Sequence, residues 1–137
     1  MELIVAAIAD SANVSDMGKM NILGIFDALL APFTPIVLKQ FSVALVLRPD
    51  EDEKGTTKLL RIQINDADGR SIISEMTSQI VVATAEIGIR PPVNLVLTIQ
   101  DLLFPKFGDY EIKIDVDHVN LKTISFLVQP VFQSVQS

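Results

Sequence analysis

At 137 residues the chain has the length of one ordinary domain, enough to bury about 68% of its unfolded surface in a single core. Its net charge of −6 and pI near 4.6 exclude the phosphate-backbone and anionic-lipid partners whose affinity comes from Lys and Arg, so neither nucleic acid nor membrane is expected as a partner. With no cysteine there is no disulfide framework, thiol nucleophile or thiolate zinc site, and 49% hydrophobic against 20% charged residues predicts that some apolar surface meets a partner.

The first segment, MELIVAAIADSA, carries Glu2 where a secretory leader carries positive charge. Its apolar run from Leu3 to Ala9 is short for a leader, and it reads as a mature strand, with a cytoplasmic location as the expectation. No apolar run approaches the ~20 residues that cross a bilayer. Strands are expected over Leu3 to Ala9 and Met20 to Asp27; the first is apolar on both faces and the second nearly so over Met20 to Phe26, so each needs cover from a loop, a neighbouring segment or another subunit. Between them lies DSANVSDMGK, the one polar stretch whose chemistry stands out. It reads either as a long hairpin connection satisfying its own backbone or as a polar binding patch of Asp10, Asn13, Asp16, Lys19 and Asn21 gathered at one end of a sandwich.

Further strands are expected over Val37 to Arg48, Lys58 to Asp66, Ser71 to Val82, Val93 to Leu103, Asp109 to Val116 and Leu121 to Val128, eight in all. Pro49 to Gly55 reads as a solvated hairpin connection, and Ala83 to Pro92 as a crossover, because Pro91 and Pro92 exclude a central strand there. The clearest alternation is GDYEIKIDVD, with Tyr110, Ile112, Ile114 and Val116 on one face and Glu111, Lys113, Asp115 and Asp117 on the other. In the tail PVFQSVQS, Val131, Phe132 and Val135 need a surface to dock on.

Two turns imitate metal sites. NDADGRSIISE places Asp66, Asp68 and Glu75 at calcium-loop positions counted from Gly69, but Ile64 stands where the first carboxylate belongs and the flanks are strands. A three-residue hairpin loop with Asp66 at the first position of a type I turn and Gly69 left-handed fits better. It opposes Ile64 to Ile72, Leu60 to Met76 and Arg61 to Glu75. A second three-residue loop, His118, Val119 and Asn120, pairs Ile114 with Ile124, Ile112 with Phe126 and Tyr110 with Val128. It leaves the only histidine at a turn tip, where Asp115, Asp117 and His118 read as solvated polar residues rather than a metal trio. Neither a metal nor a cofactor is expected.

No catalytic constellation appears. There is no nucleophile elbow, no phosphate-cradling glycine loop, no Trp and a single Tyr. Two stretches carry a resemblance: ADSANVSDMGKMNILGIFD, with Ala9, Asp10, Gly18, Lys19, Asn21, Ile22, Gly24, Phe26 and Asp27, and LLFPKFGDYEIKIDVD from Leu102 to Asp117. Together they resemble a family of small bacterial proteins of unknown function, over nearly the whole chain. The resemblance implies a β-sandwich and supplies no catalytic residue.

The sequence is therefore expected to form one all-β domain over residues 1–137, an antiparallel β-sandwich of about eight strands, immunoglobulin-like in its C-terminal half with Tyr110 as a corner residue. Leu60, Ile62, Ile64, Leu95, Leu97, Ile99, Ile112, Ile114, Ile124, Phe126 and Val128 are expected to face inward. The expected role is a non-enzymatic interaction or assembly module, a homo-oligomer with a two-fold dimer as default or one bound to an unknown protein partner. The alternative is a small-ligand or metal-binding domain using the Asp10 to Asn21 region.

Overall fold

The computed structural model describes residues 1–131; the tail positions Phe132 and Val135 lie outside them. Among the described residues, segments rich in Val, Ile, Leu and Phe form nine strands: β1 (Glu2–Val14), β2 (Met20–Ile25), β3 (Ala28–Ala31), β4 (Ile36–Arg48), β5 (Thr57–Asp66), β6 (Met76–Val81), β7 (Val93–Phe104), β8 (Gly108–Val116) and β9 (Val119–Pro130). The first sheet runs β2-β1-β4-β7 and the second β3-β9-β8-β5-β6, so the chain is an all-β sandwich. Among the described residues no helix is long and apolar enough to cross a membrane.

One apolar core lies between the sheets. Phe41, Val43, Leu45 and Leu47 of β4 and Ile8 of β1 supply it from the first sheet, and Leu60, Ile62, Ile64, Tyr110, Ile112, Ile114, Phe126 and Val128 from the second. Of the eleven residues expected to face inward, Leu95, Leu97 and Ile124 are only half-buried. The first two belong to β7, an outermost strand, and Ile124 lies on the part of β9 that β3 does not flank.

Tyr110 is a corner residue as expected. Its hydroxyl donates to the Lys106 carbonyl at 2.6 Å and accepts from the Lys106 N–H at 3.2 Å, satisfying both backbone groups of one loop residue.

Four expectations are corrected. The ninth strand, β3, is four residues long and pairs parallel with β9, so neither alternation nor a hairpin turn announces it. The solvated connection at 49–55 is not a hairpin: it contains a turn of 3-10 helix, Glu51–Glu53, and carries the chain from β4 in one sheet to β5 in the other.

The Asp66 turn forms as read, with Gly69 at φ +80, its N–H on the Asp66 carbonyl at 3.0 Å, and Asp66 Oδ1 accepting from the Asp68 and Arg70 N–H groups. Ile72 does oppose Ile64, its N–H reaching the Ile64 carbonyl at 2.9 Å. Beyond it the register slips by two. Met76 opposes Ile62 rather than Leu60, because residues 72–75 leave the ladder before β6 begins at Met76. A slip of two keeps every side chain on its face, and Arg61 still meets Glu75, Nε to Oε2 at 3.3 Å.

The last hairpin also slips by two. Its loop has two residues, Asp117 at φ 48 and His118 at φ 67, closing Val116 onto Val119. This is the primed turn that Asp-Gly favours, with histidine in the glycine place. A bulge beside Ile114 and Asp115 then sets Ile112 opposite Ile124 and Tyr110 opposite Phe126. His118→Gly is accordingly expected to stabilise the fold by up to about 1 kcal/mol, the left-handed cost relieved less the added unfolded-state entropy of glycine. A urea midpoint that falls or stays put would show that His118 contributes something the turn geometry does not explain.

Candidate functional site

The polar stretch singled out by the sequence is not a loop at one end of the sandwich. Asp10–Val14 continues β1 as strand, and only residues 15–19 turn. β1 changes partner at Ala9, which pairs with Ser42 of β4 on one side and with Ile25 of β2 on the other. Past that residue β1 and β2 leave the sheet as a two-stranded arm.

The arm crosses the outer face of the first sheet. Its tip is tied to the far strand, β7, where Asn94 Nδ2 donates to the Gly18 carbonyl at 2.8 Å. This explains a burial pattern that one core cannot. Positions 41 to 45 of β4 are buried on both faces: Phe41, Val43 and Leu45 toward the core, Ser42 and Ala44 away from it. Ala7 and Ala9 of β1 are buried on the same outer side. The half-buried Ala12, Ile22 and Met20 share one face of the arm, so Ala7 and Ala9 have cover within the chain, while Ile4 near the start of the same strand stays 42% exposed. Only small side chains on the sheet leave room for a second layer of backbone.

The five residues of the expected patch are dispersed along this arm, all exposed. Asn13 and Asn21 are brought together as opposed residues, Asn21 Nδ2 donating to Asn13 Oδ1 at 2.9 Å. Asp10 stands apart at the base, against Gly24. Asp16 and Lys19 belong to the tip, where the Lys19 N–H donates to Ser15 Oγ at 3.1 Å and its carbonyl accepts from the Ser15 N–H at 2.8 Å. The arrangement shapes an arm rather than a convergent polar pocket. The outer side of the arm instead shows Leu23 and Ile25, 71% and 68% exposed.

A charged network that the sequence reading missed lies where the 49–55 connection meets the N-terminus. The Met1 ammonium contacts Asp50 Oδ2 at 3.0 Å and Glu53 Oε1 at 2.8 Å, and Lys58 Nζ lies 3.4 Å from Glu53 and 3.5 Å from Asp117. Lys54 and Glu51 pair at 2.7 Å, and both reach the crossover, Lys54 Nζ donating to the Glu86 carbonyl and Glu51 Oε1 accepting from the Gly88 N–H. Residues more than thirty positions apart meet here, which no local pattern signals. Asp50, Asp52 and Glu53 approach one another within 4.8 Å, but two of them already hold the Met1 ammonium.

Hydrogen bonding to Glu53 raises the Met1 ammonium above its ordinary 8.0 against the cost of burial. Burial pushes Glu53 up, yet hydrogen bonds from the Asp50 N–H and the ammonium leave it below its ordinary 4.5. The raised amine contributes stability that is full below pH 8.0 and lost as pH rises through its folded value; the lowered carboxylate contributes stability present above pH 4.5 and lost as pH falls. The stability difference between wild type and Glu53→Gln should therefore be greatest between these pH values and shrink on both sides. A difference flat from pH 3 to about 10 in urea titrations would remove the pair from the account.

The chain belongs to a family of unknown function, DUF6941, whose profile matches residues 4–129 and so spans both sheets and the arm. No curated protein matches it.

Proposed function

We propose that this DUF6941 member is a non-enzymatic interaction module that assembles with copies of itself. The observation that carries the reading is the apolar surface that internal cover leaves behind: Leu23 and Ile25 on the arm, and the half-exposed Val93, Leu95, Val96 and Leu97 along the outermost strand of the same sheet. The polar groups support it from the other side. The arm's Asn13 and Asn21 amides hydrogen-bond to each other, Asp50 and Glu53 hold the Met1 ammonium, and the only histidine sits in a two-residue turn. The immunoglobulin-like character expected of the C-terminal half rests on the Tyr110 corner.

Light scattering of the untagged chain across a concentration series tests the proposal. A mass of two or more chains, held on dilution, is the expected result. A monomer at tens of micromolar would overturn it.

A further inference from the structure

Deepening the self-association proposed above, on which it rests, we infer that the contact is made by the free edge of β7, paired antiparallel about a two-fold axis with the same edge of a second copy.

A sandwich that does not close leaves strand edges with unpaired backbone N–H and C=O groups, and proteins that stay dispersed guard them with charges, bulges, bends or brevity. Most of the edges here are guarded. β2 is interrupted by Gly24 at φ +74. The part of β1 that β2 leaves bare carries a bulge between Leu3 and Val5 and ends against the crossing chain, where the Phe26 N–H takes the Ile8 carbonyl. β3 has four residues, and the open part of β9 has the charged Lys122 and a bulge beside it. β6 has six residues, half the length of β7.

β7 lacks such a guard over most of its length. From Val93 to Gln100 it has no charge, proline or glycine, and its register with β4 runs without a bulge. The interruption comes at Asp101, a non-glycine residue at φ 53. Eight neutral residues of open edge are therefore bounded by Pro92 on one side and this bend on the other.

The occupant follows from charge and pattern. Each copy carries −6, so two copies approach at low cost only through a neutral strip, and this edge is one. Antiparallel pairing about a two-fold axis sets the inner row of Leu95, Leu97 and Ile99 beside the same row of the second copy and keeps Val96, Thr98 and Gln100 on the outer row. The half-exposed Val93, Leu95 and Leu97 gain the apolar neighbours they lack. The product is one continuous sheet of eight strands across the pair.

The absence of cysteine makes the test direct. Single cysteines at each position from Leu95 to Gln100, with Leu23→Cys and Ile25→Cys on the arm as comparison, are oxidised mildly in the full chain and scored for covalent dimer, since the two-fold axis sets one residue of the strand opposite itself. Opposed antiparallel residues bring their Cα atoms to about 4.5–5.5 Å, within disulfide range. In parallel, the Val96→Lys/Thr98→Lys variant is weighed by light scattering, with circular dichroism and melting to show that it folds. Cross-linking that peaks at one β7 position, with the double-lysine variant folded at half the wild-type mass, is the expected result. Cross-linking at the arm alone, or a double-lysine variant that keeps the wild-type mass, would overturn the edge assignment while leaving self-association standing. A monomeric wild type would overturn both.

Discussion

Phe126→Ala is expected to destabilise the fold by about 3–5 kcal/mol, the range for emptying a buried aromatic site. Phe126 is almost wholly buried and forms the middle of an aromatic chain joining parts of the molecule that the backbone connects only remotely. On one side its ring meets Phe26 edge-on, centroids 5.7 Å apart at 70°; on the other it stacks on Phe104 at 5.4 Å and 21°, and Phe104 meets Tyr110 edge-on at 5.0 Å. Phe26 lies where the chain passes from the first sheet to the second, Phe104 closes β7, and Tyr110 carries the corner that fixes Lys106. Truncating the central ring removes a contact from each neighbour and leaves a void that β-sheet backbone closes poorly. Phe33→Ala, at a position 62% exposed, should change stability by less than about 0.5 kcal/mol and serves as the comparison. Equal urea midpoints for the two variants would mean that the aromatic chain does not hold the sheets together.

The sandwich was legible wherever one face of a strand is buried and the other wet. Tyr110, Ile112, Ile114 and Val116 are buried as their alternation required, and the Asp66 turn formed because Asp and Gly stand where a type I turn with a left-handed third loop residue needs them. Partner choice was less legible. Both hairpin registers slipped by two, a shift that a side-chain period of two cannot detect because it changes no face. The arm was misread because Asp10, Ser11 and Asn13 have weak strand preference, and what makes them strand is pairing with β2. A signal did exist: Ala7, Ala9, Ser42 and Ala44 are small residues at outer positions of strands otherwise filled with Val, Ile and Leu, as a second backbone layer requires. The family motif has a structural account in the same terms. Gly18 turns the tip at φ +74, Asn21 bonds Asn13, Gly24 receives Asp10, and Phe26 packs on Phe126.

Gly24→Ala carries the second large effect, and it isolates the arm. Gly24 sits inside β2 with φ +74, a conformation that costs a side-chain-bearing residue about 1–2 kcal/mol. A Cβ placed there would also overlap the Asp10 carboxylate across the arm, adding an overpacking cost of about 1–3 kcal/mol unless Asp10 moves. The two costs separate in a double-mutant cycle, because Asp10→Ala removes the carboxylate that the new Cβ would strike, keeps only the tight approach of the residue-10 Cβ, and leaves the left-handed backbone untouched. The single Gly24→Ala variant should therefore lose both contributions, and Asp10→Ala/Gly24→Ala should recover most of the steric part while keeping the backbone part. The loss should also be local at first. A loosened arm uncovers Ala7, Ala9, Ser42 and Ala44, so amide exchange should rise at those positions before it rises at Ile62 or Ile114 in the core. Uniform acceleration across arm and core would show that the arm unfolds only with the whole sandwich. A Gly24→Ala variant as stable as wild type would mean that the close approach of Asp10 and Gly24 is not what sets the arm against the sheet.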